Sequence, residues 1–406
     1  MNRVSSISGQ SAVFAPAARA TDARNAFAGF LLSGLLLSFV GAILPAWRYH
    51  ITGDYRGAGA CFLFLNIGLL AAARTTAVLT RRTSIVRLLS IGAFTAASAF
   101  VLFALTLPPA SSVWRYIGFL VLGAGSGMTS TALLYATTPF YNRDRASTLN
   151  IAGATFGIGC SMAALLIAGT FFVYTVAQIL LMFAAIAAGF GVFFGRWRLP
   201  AALPPQEQSW RRVVADFRNP GVVLFTLLLF LQFGNEWAIA GWLPLFLIER
   251  LGVSPETSLI MLAVYWLALM SGRLAVQPLL PRMRHGRLLL CSMAGAVFGC
   301  VILTFTNNLF GATVAVLCIG IGFAPVYPLV AEKISTRFPH YHPAVFSGLL
   351  SFAFTGGMLA PWTIGLMATS WGIRAVMAVP LPGTILVFLL TLLILLHARL
   401  NGNNAG

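Results

Sequence analysis

The chain has 406 residues, of which 59% are hydrophobic and only 9% are charged, and its formal net charge at pH 7 is +17. Soluble domains carry about 25% charged residues, so this composition excludes a water-soluble enzyme and indicates a polytopic membrane protein. Membrane β-strands alternate in segments of about 10 residues. The long, continuous apolar runs of this chain disfavour a transmembrane barrel.

Twelve segments are apolar over about 20 residues, the length that an α-helix needs to cross a bilayer. They fall into two sets of six, separated by a basic linker at 196–219. We therefore predict an all-α membrane protein with two pseudo-symmetric six-helix bundles, at 26–195 and 220–398. Residues 1–25 are polar and small and are expected to form a disordered tail, and residues 399–406 form a second tail. The predicted spans lie near 26–46, 57–80, 84–106, 114–138, 146–169, 174–195, 221–247, 257–280, 288–306, 309–331, 344–369 and 375–397.

The placement of Lys and Arg predicts the orientation of the chain in the membrane. With the N-terminus in the cytoplasm, 19 basic residues fall on the cytoplasmic side, 5 fall on the other side, and Arg74 and Arg273 lie within spans. Cytoplasmic loops carry an excess of Lys and Arg. We expect a multi-pass protein of the plasma (inner) membrane with both termini cytoplasmic. The same scatter of basic residues disfavours a nucleic-acid partner.

The sequence contains no constellation typical of an enzyme, a cofactor or a metal site. The five cysteines lie inside apolar segments without metal-ligand spacing, and no Walker motif is present. We expect a protein that is not an enzyme, uses no cofactor and functions as a monomer. Its expected partners are a small-molecule substrate, protons and the lipid bilayer.

Glu236 is the one acidic residue that lies deep in a predicted span. It comes 16 residues after Pro220, which is about 24 Å along a helix and near the bilayer midplane. An acid at this depth is costly unless paired, so it indicates function by default. Glu236 is therefore predicted to couple transport to protons, with Gln232 one turn away on the same face. The alternative is a protonated Glu236 that holds a neighbouring helix by a hydrogen bond.

Two arginines repeat in the two halves. Asn66 precedes Arg74 by eight residues and Tyr265 precedes Arg273 by eight, so each pair shares one helix face. Two cations that face a common space would bind an anion through bidentate hydrogen bonds. The alternatives are arginines that extend to the membrane surface, and pairing of an arginine with Glu236 during part of the cycle.

Other polar and aromatic residues are candidates for substrate contact. Hydroxyl side chains recur at helical spacing in the fourth and eleventh spans, and they either bind a polar solute or join helices. Trp237, next to Glu236, is expected to face the substrate, whereas Trp242 is expected in an interfacial aromatic belt. The candidate hydroxyl residues are Ser130, Ser351 and Thr355.

Two six-helix halves with basic loops resemble the major facilitator superfamily. The stretch GRLAVQPLLPRMRHGR (272–287) is similar to the loop motif of that family, and Arg74 to Arg87 is a poorer copy. The resemblance implies two bundles that rock about a midplane site. It also implies a gating role for loop residues, here Arg81, Arg82, Arg282 and Arg287.

Three shorter strings resemble the fucose/glucose–proton symporter group of that superfamily. They are LNIAGATFGIGC (149–160), GNEWAIAGWL (234–243) and GFAPVYP (322–328), the last of which contains Tyr327 and two prolines that should bend the tenth helix. This resemblance implies proton symport of a small polar solute, with a sugar as the first candidate. The alternatives are a small-anion transporter that uses Arg74 and Arg273, and a proton-driven exporter of lipophilic compounds. A receptor or assembly factor is disfavoured because the loops are short.

Overall fold

The structure is a computed structural model, and it describes residues 20–107, 110–137, 141–198, 220–279, 285–330 and 343–400. These residues form long α-helices and no strand. The long helices are α1 (Ala20–Ile43), α2 (Tyr55–Leu79), α3 (Ile85–Leu105), α4 (Ser112–Thr137), α5 (Tyr141–Thr170), α6 (Val176–Arg196), α7 (Pro220–Leu251), α8 (Pro255–Leu279), α9 (His285–Phe305), α10 (Leu309–Phe323), α11 (Pro343–Trp371) and α12 (Pro380–Leu400).

Each predicted span coincides with one of these helices. Among the described residues, eleven helices are long and apolar enough to cross a membrane, by length and composition. The remaining long helix, α11, has 29 residues. The prediction of an all-α protein with twelve transmembrane helices is therefore confirmed.

Several helix boundaries differ from the sequence prediction, and two of them have a clear structural reason. Helix α1 begins at Ala20 rather than near residue 26, because its first turn is held in place: the Trp197 indole N–H donates to the buried Asp22 carboxylate at 2.9 Å. Helix α12 begins at Pro380 rather than near residue 375, and a 3₁₀ helix (Ile373–Ala378) precedes it. Proline lacks a backbone N–H, so it fits the first turn of a helix and not its interior. Residues 1–19 and 199–219 lie outside the described residues.

Glycines allow the helices within each half to pack closely. A Cβ built on Gly123 or Gly127 of α4 would lie 1.8 and 2.3 Å from backbone oxygens of α2. Likewise, a Cβ on Gly159 of α5 would lie 2.0 Å from Leu31 O of α1. The predicted bend in the tenth helix is also confirmed, because α10 ends at Phe323 and helical structure resumes after a turn at Ala324 and Pro325.

The two halves meet closely at one end of the bundle. We call the end where α1 begins and α12 ends the terminal face, and the opposite end the distal face. Near the distal face, a Cβ on Gly365 of α11 would lie 2.7 Å from Gly59 Cα of α2, and one on Gly41 of α1 would lie 2.6 Å from Ala240 O of α7. In addition, the Tyr55 hydroxyl donates to the Glu249 carboxylate across the same boundary.

Trp242 belongs to this distal contact and not to an aromatic belt, so that prediction was wrong. The residue is fully buried, and its indole N–H donates to Pro361 O of α11 at 2.9 Å. Its ring also stacks on Phe62 of α2, with ring centroids 6.1 Å apart. Because the neighbouring half covers Trp242, its depth in the span did not reveal its surroundings.

The terminal-face half of α2 is more open. Arg74 is exposed, and Val78 is 62% exposed. Midway through the bundle, α5 and α8 remain in contact: the Ser161 hydroxyl donates to Ala263 O at 3.5 Å, and a Cβ on Gly157 would lie 3.3 Å from Met270 Cβ. The described helices thus meet tightly at the distal face and in the middle, where the candidate site lies.

Candidate functional site

The site is centred on Glu236, halfway along α7. Its side chain is buried, with 5% of the residue exposed. Gln232, one helical turn earlier, donates a hydrogen bond from Nε2 to Glu236 Oε1 at 2.9 Å. The i, i+4 spacing of these residues on one helix places the amide beside the carboxylate.

Arg273 of α8 supplies the opposite charge. Its Nη2 lies 3.8 Å from Glu236 Oε2, with 14% of the arginine side chain exposed. The guanidinium also reaches the other half of the protein, since a Cβ built on Gly153 of α5 would lie 3.0 Å from Arg273 Nη1. The ion pair therefore lies where α7 and α8 of one half face α5 of the other.

Aromatic residues surround the pair. Tyr265 is fully buried and donates from its hydroxyl to the backbone oxygen of Glu236 at 3.3 Å, so it joins α8 to α7. Trp237 is half-buried and packs on α11, where a Cβ on Gly357 would lie 2.8 Å from its ring. Its ring meets that of Trp266 edge-on, with centroids 5.9 Å apart.

Several buried polar atoms in this region have no hydrogen-bond partner among the described residues. They are Gln232 Oε1, Arg273 Nε, Trp266 Nε1 and Asn150 Nδ2. Buried polar groups are normally hydrogen-bonded, and an unpaired one costs about 1–3 kcal/mol. Among the described residues, these atoms are one acceptor and three donors without a partner.

The two predicted arginines have different surroundings. Arg273 pairs with Glu236, which is the arrangement that the sequence left open. Arg74 is exposed on α2. Asn66, predicted beside it, donates from Nδ2 to Phe62 O of its own helix at 2.8 Å. This local bond occupies the amide in a contact within α2.

The candidate hydroxyl residues have different surroundings. Ser130 is hydrogen-bonded to Ser33 at 2.5 Å and so joins α4 to α1 within the first half. Thr355 is half-buried on α11, whereas the side chain of Ser351 lies outside the described part of the structure. Tyr327 follows the break in α10, and its ring lies 5.8 Å from that of Phe233 on α7.

The predicted gating residues lie at the terminal face. Arg81 and Arg82 follow α2 and are exposed, and Arg287 is exposed in the first turn of α9. Arg282 lies outside the described residues. The described part of the structure shows no acidic partner for Arg82 or Arg287.

Asn150 and Gly153 were not predicted as site residues from the sequence. Asn150 is a buried amide on α5, one turn before Gly153. The signal was available, because an i, i+3 spacing puts both residues on one face. What the sequence could not show is that this face meets Arg273.

Comparison with known proteins identifies the fold family. The profile of the Major Facilitator Superfamily matches residues 26–361. No curated protein matches the sequence. Among solved structures, the nucleoside transporter NupG has a TM-score of 0.70 and 15% identity, covering 92% of this chain and 98% of its own.

A bacterial homolog of the human lysosomal transporter Spinster is also similar in fold. Its inward-facing, unoccupied form has a TM-score of 0.66 and 15% identity, covering 93% of this chain and 95% of its own. The occupied inward-facing form has a TM-score of 0.65 and 15% identity, with 93% and 94% coverage. These identities establish a shared fold and no shared substrate. With the family profile matching most of the chain, the protein belongs to the Major Facilitator Superfamily and is a multi-pass membrane transporter of small molecules.

Proposed function

We propose that the protein is a proton-coupled secondary transporter of a small polar solute that works by alternating access. The observation that carries this proposal is the buried Glu236–Arg273 ion pair at the boundary between the two halves. Protonation of Glu236 would remove one charge from a pair that contacts both α7 and α5. A change that alters the relative stability of two states is what coupling requires.

The contacts between the halves support a conformational cycle. The distal face is closed by glycine contacts and by the Tyr55–Glu249 hydrogen bond, whereas Arg74 on the terminal-face half of α2 is exposed. We propose that the terminal face is cytoplasmic, as the distribution of Lys and Arg predicts. On this proposal the protein lies in the inner membrane, works as a monomer and is here in a state that is open toward the cytoplasm.

The solute is proposed to be polar because the free hydrogen-bonding atoms and the half-buried Trp237 lie around the ion pair. The resemblance of three sequence strings to the fucose/glucose–proton symporter group places sugars and their derivatives first. A lipophilic substrate would leave the free polar atoms of Gln232, Trp266 and Asn150 without partners, at a cost in binding free energy.

The experiment measures solute-driven proton movement in liposomes. Purified protein is reconstituted with a pH-sensitive dye inside, and a panel of hexoses, hexose acids and nucleosides is added outside. A symported solute acidifies the interior. We expect Glu236→Gln to abolish acidification, because glutamine keeps the shape of the side chain and cannot exchange a proton.

Glu256→Gln is the matched control, since Glu256 lies in the first turn of α8 at the distal face. It should transport as the unchanged protein does. Full proton-coupled uptake by Glu236→Gln would show that Glu236 is not the coupling residue and would remove the main support for this mechanism.

A further inference from the structure

The best carboxylate-binding edge of the Arg273 guanidinium is not fully hydrogen-bonded. Nε–H and one Nη2–H point along the same edge of an arginine, and this edge binds planar carboxylates through two parallel hydrogen bonds. Here Nη2 lies 3.8 Å from Glu236 Oε2, longer than a hydrogen bond, and Nε has no partner among the described residues. Glu236 therefore balances the charge of Arg273 without occupying both of these donors.

Protonation of Glu236 would leave Arg273 without a counter-charge. The sequences of α11 and of 380–396 in α12 contain no ionisable residue, and neither does 26–43 of α1. Helix α5 presents Gly153 to the guanidinium, and Cys160 two turns further donates to Gly34 O of α1. Tyr265 donates to a backbone oxygen. The described residues place no second acid beside the guanidinium, and a buried cation requires an anion or loses stability.

The remaining free atoms fit hydroxyl groups. Gln232 Oε1 accepts a hydrogen bond, and Trp266 Nε1 and Asn150 Nδ2 donate one each. A hydroxyl group both donates and accepts, so it satisfies either kind of partner. Half-buried Trp237, edge-on to Trp266, offers an apolar surface for the carbon skeleton of a small solute.

We infer that the substrate is a small hydroxylated monocarboxylate, of the sugar-acid class, whose carboxylate binds the Nε and Nη2 edge of Arg273 while Glu236 is protonated. This inference rests on the proposed function, because it takes Glu236 as the residue that carries the proton. One proton bound by Glu236 and one monoanion bound by Arg273 cross together, and transport moves no net charge. Deprotonation of Glu236 restores the ion pair and displaces the carboxylate.

The experiment compares D-gluconate and D-glucuronate with D-glucose in the dye-loaded liposomes, using protein-free liposomes as the blank. Both acids should acidify the interior, and D-glucose should not. A membrane potential imposed with valinomycin and potassium should leave uptake of D-gluconate unchanged. For a neutral solute moved with one proton, about 100 mV would change accumulation by about 50-fold, since one charge crossing it corresponds to about 2.3 kcal/mol.

The variant that tests the binding residue is Arg273→Lys, which keeps the charge and removes the two-donor edge. It should raise the D-gluconate concentration for half-maximal uptake by about tenfold or more, the effect of losing one charge-assisted hydrogen bond. Arg374→Lys, exposed in the 3₁₀ helix, is the matched control and should behave as the unchanged protein. If Arg273→Lys does not fold, D-gluconate should still raise the unfolding temperature of the unchanged protein more than D-glucose does.

The outcomes separate this inference from the proposed function. Proton-coupled uptake of D-glucose with no response to either acid overturns the substrate class and leaves proton coupling intact. If D-gluconate is taken up without proton movement, and Glu236→Gln still takes it up, then the carboxylate site stands and proton coupling is overturned. Failure of both acids to be transported or to stabilise the protein overturns the inference, as does uptake of D-gluconate that depends on membrane potential.

Discussion

Closure of the distal face should depend on the contact between Gly59 and Gly365. A Cβ on Gly365 would lie 2.7 Å from both Gly59 Cα and Tyr55 O, whereas ordinary contacts begin at 3.4 Å. Both neighbours are backbone atoms, so no flexible side chain can move aside. Gly365→Ala must therefore separate α2 from α11 by about 0.7 Å or more, and overpacking of this kind costs about 1–3 kcal/mol.

That cost falls mainly on the distally closed state, because the helices separate when the face opens. A shift of about 1–3 kcal/mol changes a two-state equilibrium by about 5- to 150-fold. The assay is a spin–spin distance between Ile51→Cys and Phe310→Cys, which are 68% and 80% exposed near the distal face of the two halves. The native cysteines are replaced by alanine. Gly365→Ala should move the distance distribution toward longer values.

Gly295→Ala is the matched control, because a Cβ on this helical glycine of α9 has nothing within 4 Å. It gains the same helix propensity as Gly365→Ala, about 1 kcal/mol, without the overlap. If Gly365→Ala and Gly295→Ala gave the same distances and the same transport rate, the glycine contact would not be what holds the distal face closed.

Three further changes test other contacts. Gly153→Ala places a methyl group 3.0 Å from Arg273 Nη1 and should slow transport without a large loss of thermal stability, because the guanidinium can move. Gly169→Ala, whose added Cβ would have nothing within 4 Å, should leave transport unchanged. Equal transport rates in the two variants would show that the contact of Gly153 with Arg273 does not matter for transport. Tyr55→Phe removes the hydroxyl that donates to Glu249 and should shift the same spin–spin distance toward opening, in contrast to Tyr174→Phe at an exposed site. Trp197→Phe removes the 2.9 Å hydrogen bond to buried Asp22 and should lower the unfolding temperature, since a hydrogen bond to a charged group contributes about 1.5–3 kcal/mol; an unchanged temperature would show that α1 is not held there.

The sequence was sufficient for the architecture. In a bilayer, every backbone N–H and C=O must be paired within the segment, so an apolar run of about 20 residues is a helix whatever surrounds it. The depth of Glu236 was also predictable from the sequence, because it follows from the rise per residue of a helix alone. The bend caused by the prolines near Tyr327 was predictable for the same reason, because it is local to one helix.

Helix ends and side-chain partners required the tertiary structure. Ala20 begins α1 because Trp197, which is 175 residues away, donates to Asp22. Trp242 is buried because α2 and α11 cover it. The periodicity of the sequence shows which residues share a face of one helix, but it does not show which face of another helix they contact.

The candidate site was likewise predictable only in part from the sequence. From the sequence alone came an all-α transporter fold, a deep acid at Glu236 and an arginine at Arg273 within a span. Only the packing of α7, α8 and α5 decided that these two charges pair and that Arg273 Nε has no hydrogen-bond partner among the described residues. The physical reason is that membrane insertion depends on the composition of each segment, whereas pairing of buried polar groups depends on distances between helices that are remote in the chain.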